Sequence, residues 1–364
     1  MQSCDLAPAY IKAISPYLPG KPIAELAREL GIDESKIIKL ASNENPLGAS
    51  PRAMTAMANA LADLSRYPDG SGFELRAALT RRFGVEPGQI VLGNGSNEVL
   101  DMVAAAFLSP GVKAVYSAHA FAVYPLATQA KGATGIEVAA LDFAHDLHAM
   151  RTAIDEDTRV VFVANPNNPT GTLIEPKALK KFVESVPVEV VIVLDEAYNE
   201  YLPRDVQANT VEWIARHPNL IITRTFSKAY GLAGLRVGYG LMSASVAELL
   251  NRVRPPFNVN SVAQVAAAAA LGDIEFVRRS FELNQAGMRQ LTQAFGRLGL
   301  AYIPSYGNFV AVEVGDAVAV NAKLLKQGVI VRPVANYGMP RHLRITVGLA
   351  EENERFLAAL RQAL

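Results

Sequence analysis

Short apolar runs rich in β-branched residues recur between longer stretches of helical pattern, at residues 90–92, 160–164, 190–194 and 220–223. Strands alternating with crossover helices are the signature of a mostly parallel sheet covered by helices, an α/β fold. Each run stops at polar or Gly/Pro-rich residues: Gly93-Asn94-Gly95-Ser96, Asn165-Pro166-Asn167-Asn168, Asp195-Glu196 and Arg224-Thr225-Phe226-Ser227-Lys228. Ligands of open α/β sheets bind at the carboxyl ends of the strands, so these four ends are where polar side chains should be read as chemistry.

The pattern changes toward the C-terminus, where helical windows at 262–271 and 276–298 lead into apolar runs at 301–303, 308–314, 329–331 and 342–347. That mixture predicts a smaller α+β domain. The first residues, with prolines at 8, 16, 19 and 22, predict an arm packed on something else. The expected division is a large ligand-binding domain over 42–263, with the arm and small domain built from 1–41 and 264–364. The alanine run 266–270 reads as a close-packed helix face, and no internal repeat or low-complexity stretch is present.

A length of 364 residues supports two domains at roughly 150 residues each. Lys plus Arg and Asp plus Glu are both 35, giving zero net charge, so the counterion-release drive for nucleic-acid binding is missing. Nucleic acid and anionic membranes are thereby excluded as expected partners. Hydrophobic residues at 50% against 19% charged point to a large interior or a buried subunit interface. One cysteine, Cys4, and five histidines furnish neither a disulfide nor a Cys-rich zinc site, and no metal is expected. The N-terminus lacks a basic stretch followed by an apolar core, and the seven-residue run 265–271 is far short of the ~20 of a membrane span, so the expected location is the cytoplasm.

Three loops stand out chemically. Asn165 to Gly171 is a turn-forming string whose rigid prolines would hold the Asn168 amide over a ligand. Asp195 leaves a buried strand, with Tyr198 three residues on; it is either a helix N-cap or a carboxylate facing a cation. Lys228 follows another strand, between hydroxyl residues and a turn containing Gly231, Gly234 and Arg236. A pyridine aldehyde cofactor with a phosphate tail needs this set: a lysine for its Schiff base, an Asp for the ring nitrogen, and arginine and backbone donors for the phosphate. Gly95, Ser96 and Asn97 lie where a strand meets a helical window, and helix N-termini bind phosphate. Glu98 occupies the place of the last glycine of a GxGxxG fingerprint, which counts against a dinucleotide fold.

The ordered strings SNENPLG, NPNNPTG, VLDEAY, TFSKAYGLAGLRVGYG and LRITVG span most of the chain. Their combination resembles the fold-type I pyridoxal-phosphate aminotransferases, class II, and within them the histidinol-phosphate aminotransferase group. The resemblance implies that Lys228 is the Schiff-base lysine and proton shuttle, that Asp195 partners the pyridinium nitrogen, and that Tyr198 and Asn168 bond the ring oxygen. It assigns the phosphate to Gly95, Ser96, Asn97, Thr225, Ser227 and Arg236, and ring stacking to Phe121, leaving the adjacent His119 without a role. Tyr67 matches a tyrosine that reaches the cofactor phosphate of a neighbouring subunit, which implies a homodimer. Arg344 matches an arginine that clamps the substrate anion; Tyr17 and Asn43 match substrate-pocket positions, with the arm as a lid and Arg332 as a second positive charge. The implied reaction is transfer from histidinol phosphate to 2-oxoglutarate, in histidine biosynthesis. Rivals are an aromatic amino acid aminotransferase, for which 332–340 would suit an aromatic pocket, a phosphoamino-acid decarboxylase and a non-catalytic ligand sensor.

Overall fold

A computed structural model describes residues 2–16 and 19–364. In chain order its strands are β1 (Ile38–Leu40), β2 (Ile90–Gly93), β3 (Lys113–Ser117), β4 (Thr134–Val138), β5 (Thr158–Ala164) and β6 (Val191–Asp195). They continue as β7 (Leu220–Thr225), β8 (Gly238–Leu241), β9 (Tyr302–Ile303), β10 (Phe309–Glu313), β11 (Val329–Pro333) and β12 (His342–Thr346).

The larger sheet runs β2-β8-β7-β6-β5-β3-β4. Only β8 is antiparallel to its neighbours; β7, β6, β5, β3 and β4 pair in parallel. The unbroken apolar runs follow from burial on both faces. Val161, Val163, Ile192, Leu194, Leu220 and Ile222 enter one core, while Val160, Phe162, Val191, Val193 and Ile221 enter the other. Neighbouring residues of a strand point to opposite faces, so a strand covered on both sides has no place for a polar alternate.

Helices Ser96–Phe107, Val123–Ala130 and Ala244–Val253 cover one face. Helices Phe73–Phe83, Pro176–Ser185 and Ser261–Leu271 contribute to the other. The expected domain boundary at 263/264 falls inside Ser261–Leu271. The alanine face of that helix, Ala263, Ala266, Ala267 and Ala270, is fully buried in the large-sheet core. Side chains this small let it lie close against Pro51–Ala60 and Phe73–Phe83.

The smaller sheet runs β1-β11-β12-β10-β9, with β1 parallel to β11 and the other pairs antiparallel. Residues from near the chain's start thus complete a sheet made from its end. The short helix Ala9–Lys12 of the arm lies on the large-sheet side, where the Gln129 amide donates to the Tyr10 carbonyl at 3.4 Å. Among the described residues no helix is long and apolar enough to cross a membrane, and no cluster of His, Cys, Asp and Glu is placed to hold a metal.

Candidate active site

A cleft with about 940 Å³ of empty volume opens at the carboxyl edge of the large sheet and is closed over by the small one. Asp195 is the last residue of β6, Thr225 the last of β7, and Ser227 and Lys228 follow it; Asn168 comes from the loop after β5. Because β8 runs backwards, Arg236, just before its start, reaches the same edge. Ala41, Ser42 and Asn43 enter from the end of β1, and Arg332 and Arg344 from β11 and β12.

Asp195 is buried, and one of its oxygens accepts the Tyr124 hydroxyl at 2.8 Å while the other accepts the Ala197 amide at 3.2 Å. Burial pushes its pKa up, and the Tyr124 hydroxyl and Ala197 amide oppose that rise. Tyr124 is itself fully buried, stacked on Phe162 at 4.9 Å and edge-on to Phe121 at 5.9 Å. A buried carboxylate held by two donors is oriented to meet a cation.

The Lys228 Nζ donates to the Ser42 carbonyl at 3.1 Å and lies 5.8 Å from the centre of the Tyr198 ring. Burial, then the nearby Arg344, lowers its pKa to about 7, with Arg236 acting in the same direction. Near neutrality a large share of this amine is therefore uncharged, as a nucleophile or proton carrier requires. The Tyr198 hydroxyl accepts the Asn43 amide at 2.8 Å, and burial pushes its pKa up to about 12. Asn43 has a left-handed backbone (φ 55°) and is anchored by its N–H on the Thr346 hydroxyl at 2.9 Å.

An anion pocket lies at the N-terminus of Ser96–Phe107, which has no side-chain cap. The Arg236 guanidinium packs on Gly95, where a Cβ would come within 2.5 Å of Nη2, and it donates to the Ser227 hydroxyl at 3.4 Å. A guanidinium beside the positive end of a helix is unfavourable by itself and favourable around a bound anion. Gly238 is dictated here too, because a Cβ would meet the Ser96 amide nitrogen at 2.4 Å. On the small-sheet side, Arg344 donates to the Asn168 side-chain oxygen at 2.5 Å and to the Ala41 carbonyl at 2.7 Å. Arg332 is its cross-strand partner in the β11–β12 register.

The profile of the aminotransferase class I and II family matches residues 35–360. The chain belongs to this aminotransferase family. It is 61% identical over its full length to histidinol-phosphate aminotransferase 2 of Nitrosospira multiformis, covering 93% of that protein. It is likewise 61% identical to histidinol-phosphate aminotransferase of Methylobacillus flagellatus, over 99% of this chain and 98% of that one. Among solved structures, histidinol-phosphate aminotransferase from Sinorhizobium meliloti, in complex with pyridoxal-5'-phosphate, superposes with a TM-score of 0.90 at 29% identity, covering 98% and 97% of the two chains.

Lys228, Asp195, Tyr198, Asn168, Ser96, Asn97, Phe121, Thr225, Ser227, Arg236, Arg344 and Asn43 all line the one cleft of this aminotransferase, with Gly95 behind Arg236. Tyr67 does not line it: its side chain is 83% exposed and stacked on Phe257 at 4.8 Å. Tyr17 lies outside the described residues. Two further residues line the cleft: Tyr124, which sequence reasoning passed over, and Tyr337, which it met as part of the 332–340 segment suited to an aromatic pocket. The first had a signal: Tyr124 is three residues after Phe121, a spacing that brings two side chains to one face of a helical turn. Tyr337 carried its signal only through that segment, because its place depends on how the two sheets meet.

Proposed function

We propose that the protein is a pyridoxal-phosphate-dependent aminotransferase that moves the amino group of histidinol phosphate to 2-oxoglutarate, yielding imidazole acetol phosphate and glutamate. The observation that carries this is a cleft with two separate cationic walls, Arg236 at a helix N-terminus and Arg332 with Arg344, and a near-neutral Lys228 lining the same cleft. Near-complete alignment at 61% identity with two histidinol-phosphate aminotransferases supports the choice of substrate.

When bound, pyridoxal phosphate supplies an aldehyde that captures the amino group and a protonated pyridine that withdraws electrons. Lys228 Nζ would take the proton from the substrate carbon and return it, the chemistry a near-neutral amine can supply there. Asp195 holds the ring N–H, with Tyr124 and the Ala197 amide keeping its carboxylate aimed. Tyr198 and Asn168 bind the ring oxygen, and Phe121 packs on the ring face. Ser96, Asn97, Thr225, Ser227 and Arg236 hold the phosphate. Arg344 receives the anionic end of each substrate in turn, a task suited to a planar guanidinium, and Asn43 belongs to the substrate pocket. The active unit is a homodimer in which Tyr67 reaches the neighbouring cofactor phosphate, and the enzyme works in the cytoplasm.

A panel of amino donors with 2-oxoglutarate tests this reading. Histidinol phosphate should be the fastest donor, with glutamate formed in equal amount. Faster turnover of phenylalanine would establish the aromatic enzyme instead, and carbon dioxide release without an oxo-acid acceptor would establish a decarboxylase.

A further inference from the structure

The segment joining β11 to β12, residues 334–341, brings Tyr337 to the cleft that Arg332 and Arg344 also line. It is tied to the large sheet through His119, which follows β3. The His119 Nδ1 lies 2.5 Å from the Tyr337 carbonyl oxygen. A carbonyl only accepts, so Nδ1 carries the proton and the tautomer is set. His119 is held in turn: its backbone carbonyl accepts the Asn167 amide at 2.9 Å, and its ring packs 5.7 Å from Phe143, which meets His342 edge-on at 5.4 Å. The backbone on both sides of the contact is specialised. His119 adopts φ 54°, and Gly338 adopts φ 73°, where a Cβ would come within 3.2 Å of the imidazole.

We propose that His119 is a positioning residue that ties Tyr337 to the large sheet and so sets the width of the substrate end of the cleft. Asn167 belongs to the same loop as Asn168, which receives Arg344. The ring and the arginine therefore clamp the small sheet to one loop from opposite sides. Movement of Tyr337 would change the opening of the cleft beside Arg332 and Arg344 without touching Lys228 or Asp195. The proposal rests on the proposed substrate reading only in naming which KM responds.

Two neutral amides separate the contact from the backbone requirement, tested in the holoenzyme. In His119→Asn the Nδ2 donor sits one bond beyond Cγ, as Nδ1 does, and Asn tolerates a left-handed backbone. His119→Gln places its donor one bond too far. The Gln variant should raise KM for histidinol phosphate about five- to tenfold, the loss of one hydrogen bond, with kcat within about twofold. Amide hydrogen exchange over 335–339 should accelerate in the Gln variant and stay near wild type in the Asn variant. An unchanged KM with unchanged exchange in the Gln variant overturns the proposal, as does an equal loss of kcat and KM in both variants. Exchange needs no substrate: if histidinol phosphate is not turned over while the exchange pattern holds, the substrate reading fails and the positioning role stands.

Discussion

The large-sheet wall of the cleft and the small-sheet wall hold their functional groups differently. On the large-sheet side Asp195 ends a strand and Arg236 precedes one, and their partners come from the helices and loops packed on that sheet: Asp195 is held by Tyr124 and Ala197, and Arg236 by Ser227 and Ala233. On the small-sheet side the bonds join the two ends of the chain. Arg344 bonds Ala41, and Asn43 bonds Thr346, partners 303 residues apart in each case. The first wall is organised by the large sheet and the elements packed on it, and the second by the pairing of the chain's start with its end in the small sheet. The proposed chemistry thus falls on the first wall and the proposed recognition of substrate anions on the second.

Lys228→Ala breaks the large-sheet wall at its centre. Turnover should fall by more than about a thousandfold, the scale of lost nucleophilic and proton-transfer catalysis, and the coloured band of the reconstituted protein should vanish. Asp195→Asn should lower kcat by about a hundred- to a thousandfold while the cofactor still binds, as equilibrium dialysis can establish. Arg344→Lys probes the other wall: KM for both anionic substrates should rise about tenfold or more, with a smaller effect on kcat, since a point charge replaces a planar fork. A larger loss in kcat than in KM would show that this wall takes part in the chemistry.

Tyr124→Phe sharpens the comparison from within the large sheet. The hydroxyl holds the Asp195 pKa down against burial, so its removal lets the carboxylate take a proton at higher pH. The acid limb of the kcat profile should shift upward in pH, with about a tenfold loss at its midpoint. The titration of Lys228 gives the smallest effect. Its pKa near 7 means that the neutral amine gains as pH rises through that value. Capture of pyridoxal phosphate by the cofactor-free protein should therefore accelerate with pH up to about 7 and level off above it; a rate still climbing toward pH 10 would mean that burial does not depress this lysine.

The strand-end residues were legible because their signal is local. An apolar run, its burial on both faces, and the polar residues that end it all lie within a few positions, as with 190–194 followed by Asp195. Strand β8 was not legible, because Gly238 and Gly240 look like turn residues until the close approach of the Ser96 amide and of Met242 explains them. The allegiance of Ser261–Leu271 escaped for a related reason: its apolar run does not say which sheet its alanines face.

The amino-acid sequence alone determined an α/β chain, the family it belongs to, and the loops in which Lys228, Asp195, Asn168 and Arg236 lie. Periodicity, burial and turn chemistry act over short stretches of chain, so the order of residues suffices to express them. Only the tertiary structure decided that Tyr124 orients Asp195, that Arg344 meets Asn168, and that His119 reaches Tyr337. Those contacts join residues 71, 176 and 218 positions apart, and no local preference encodes them. They exist because the pairing of the strands and the burial of two cores bring the sheets together at one edge.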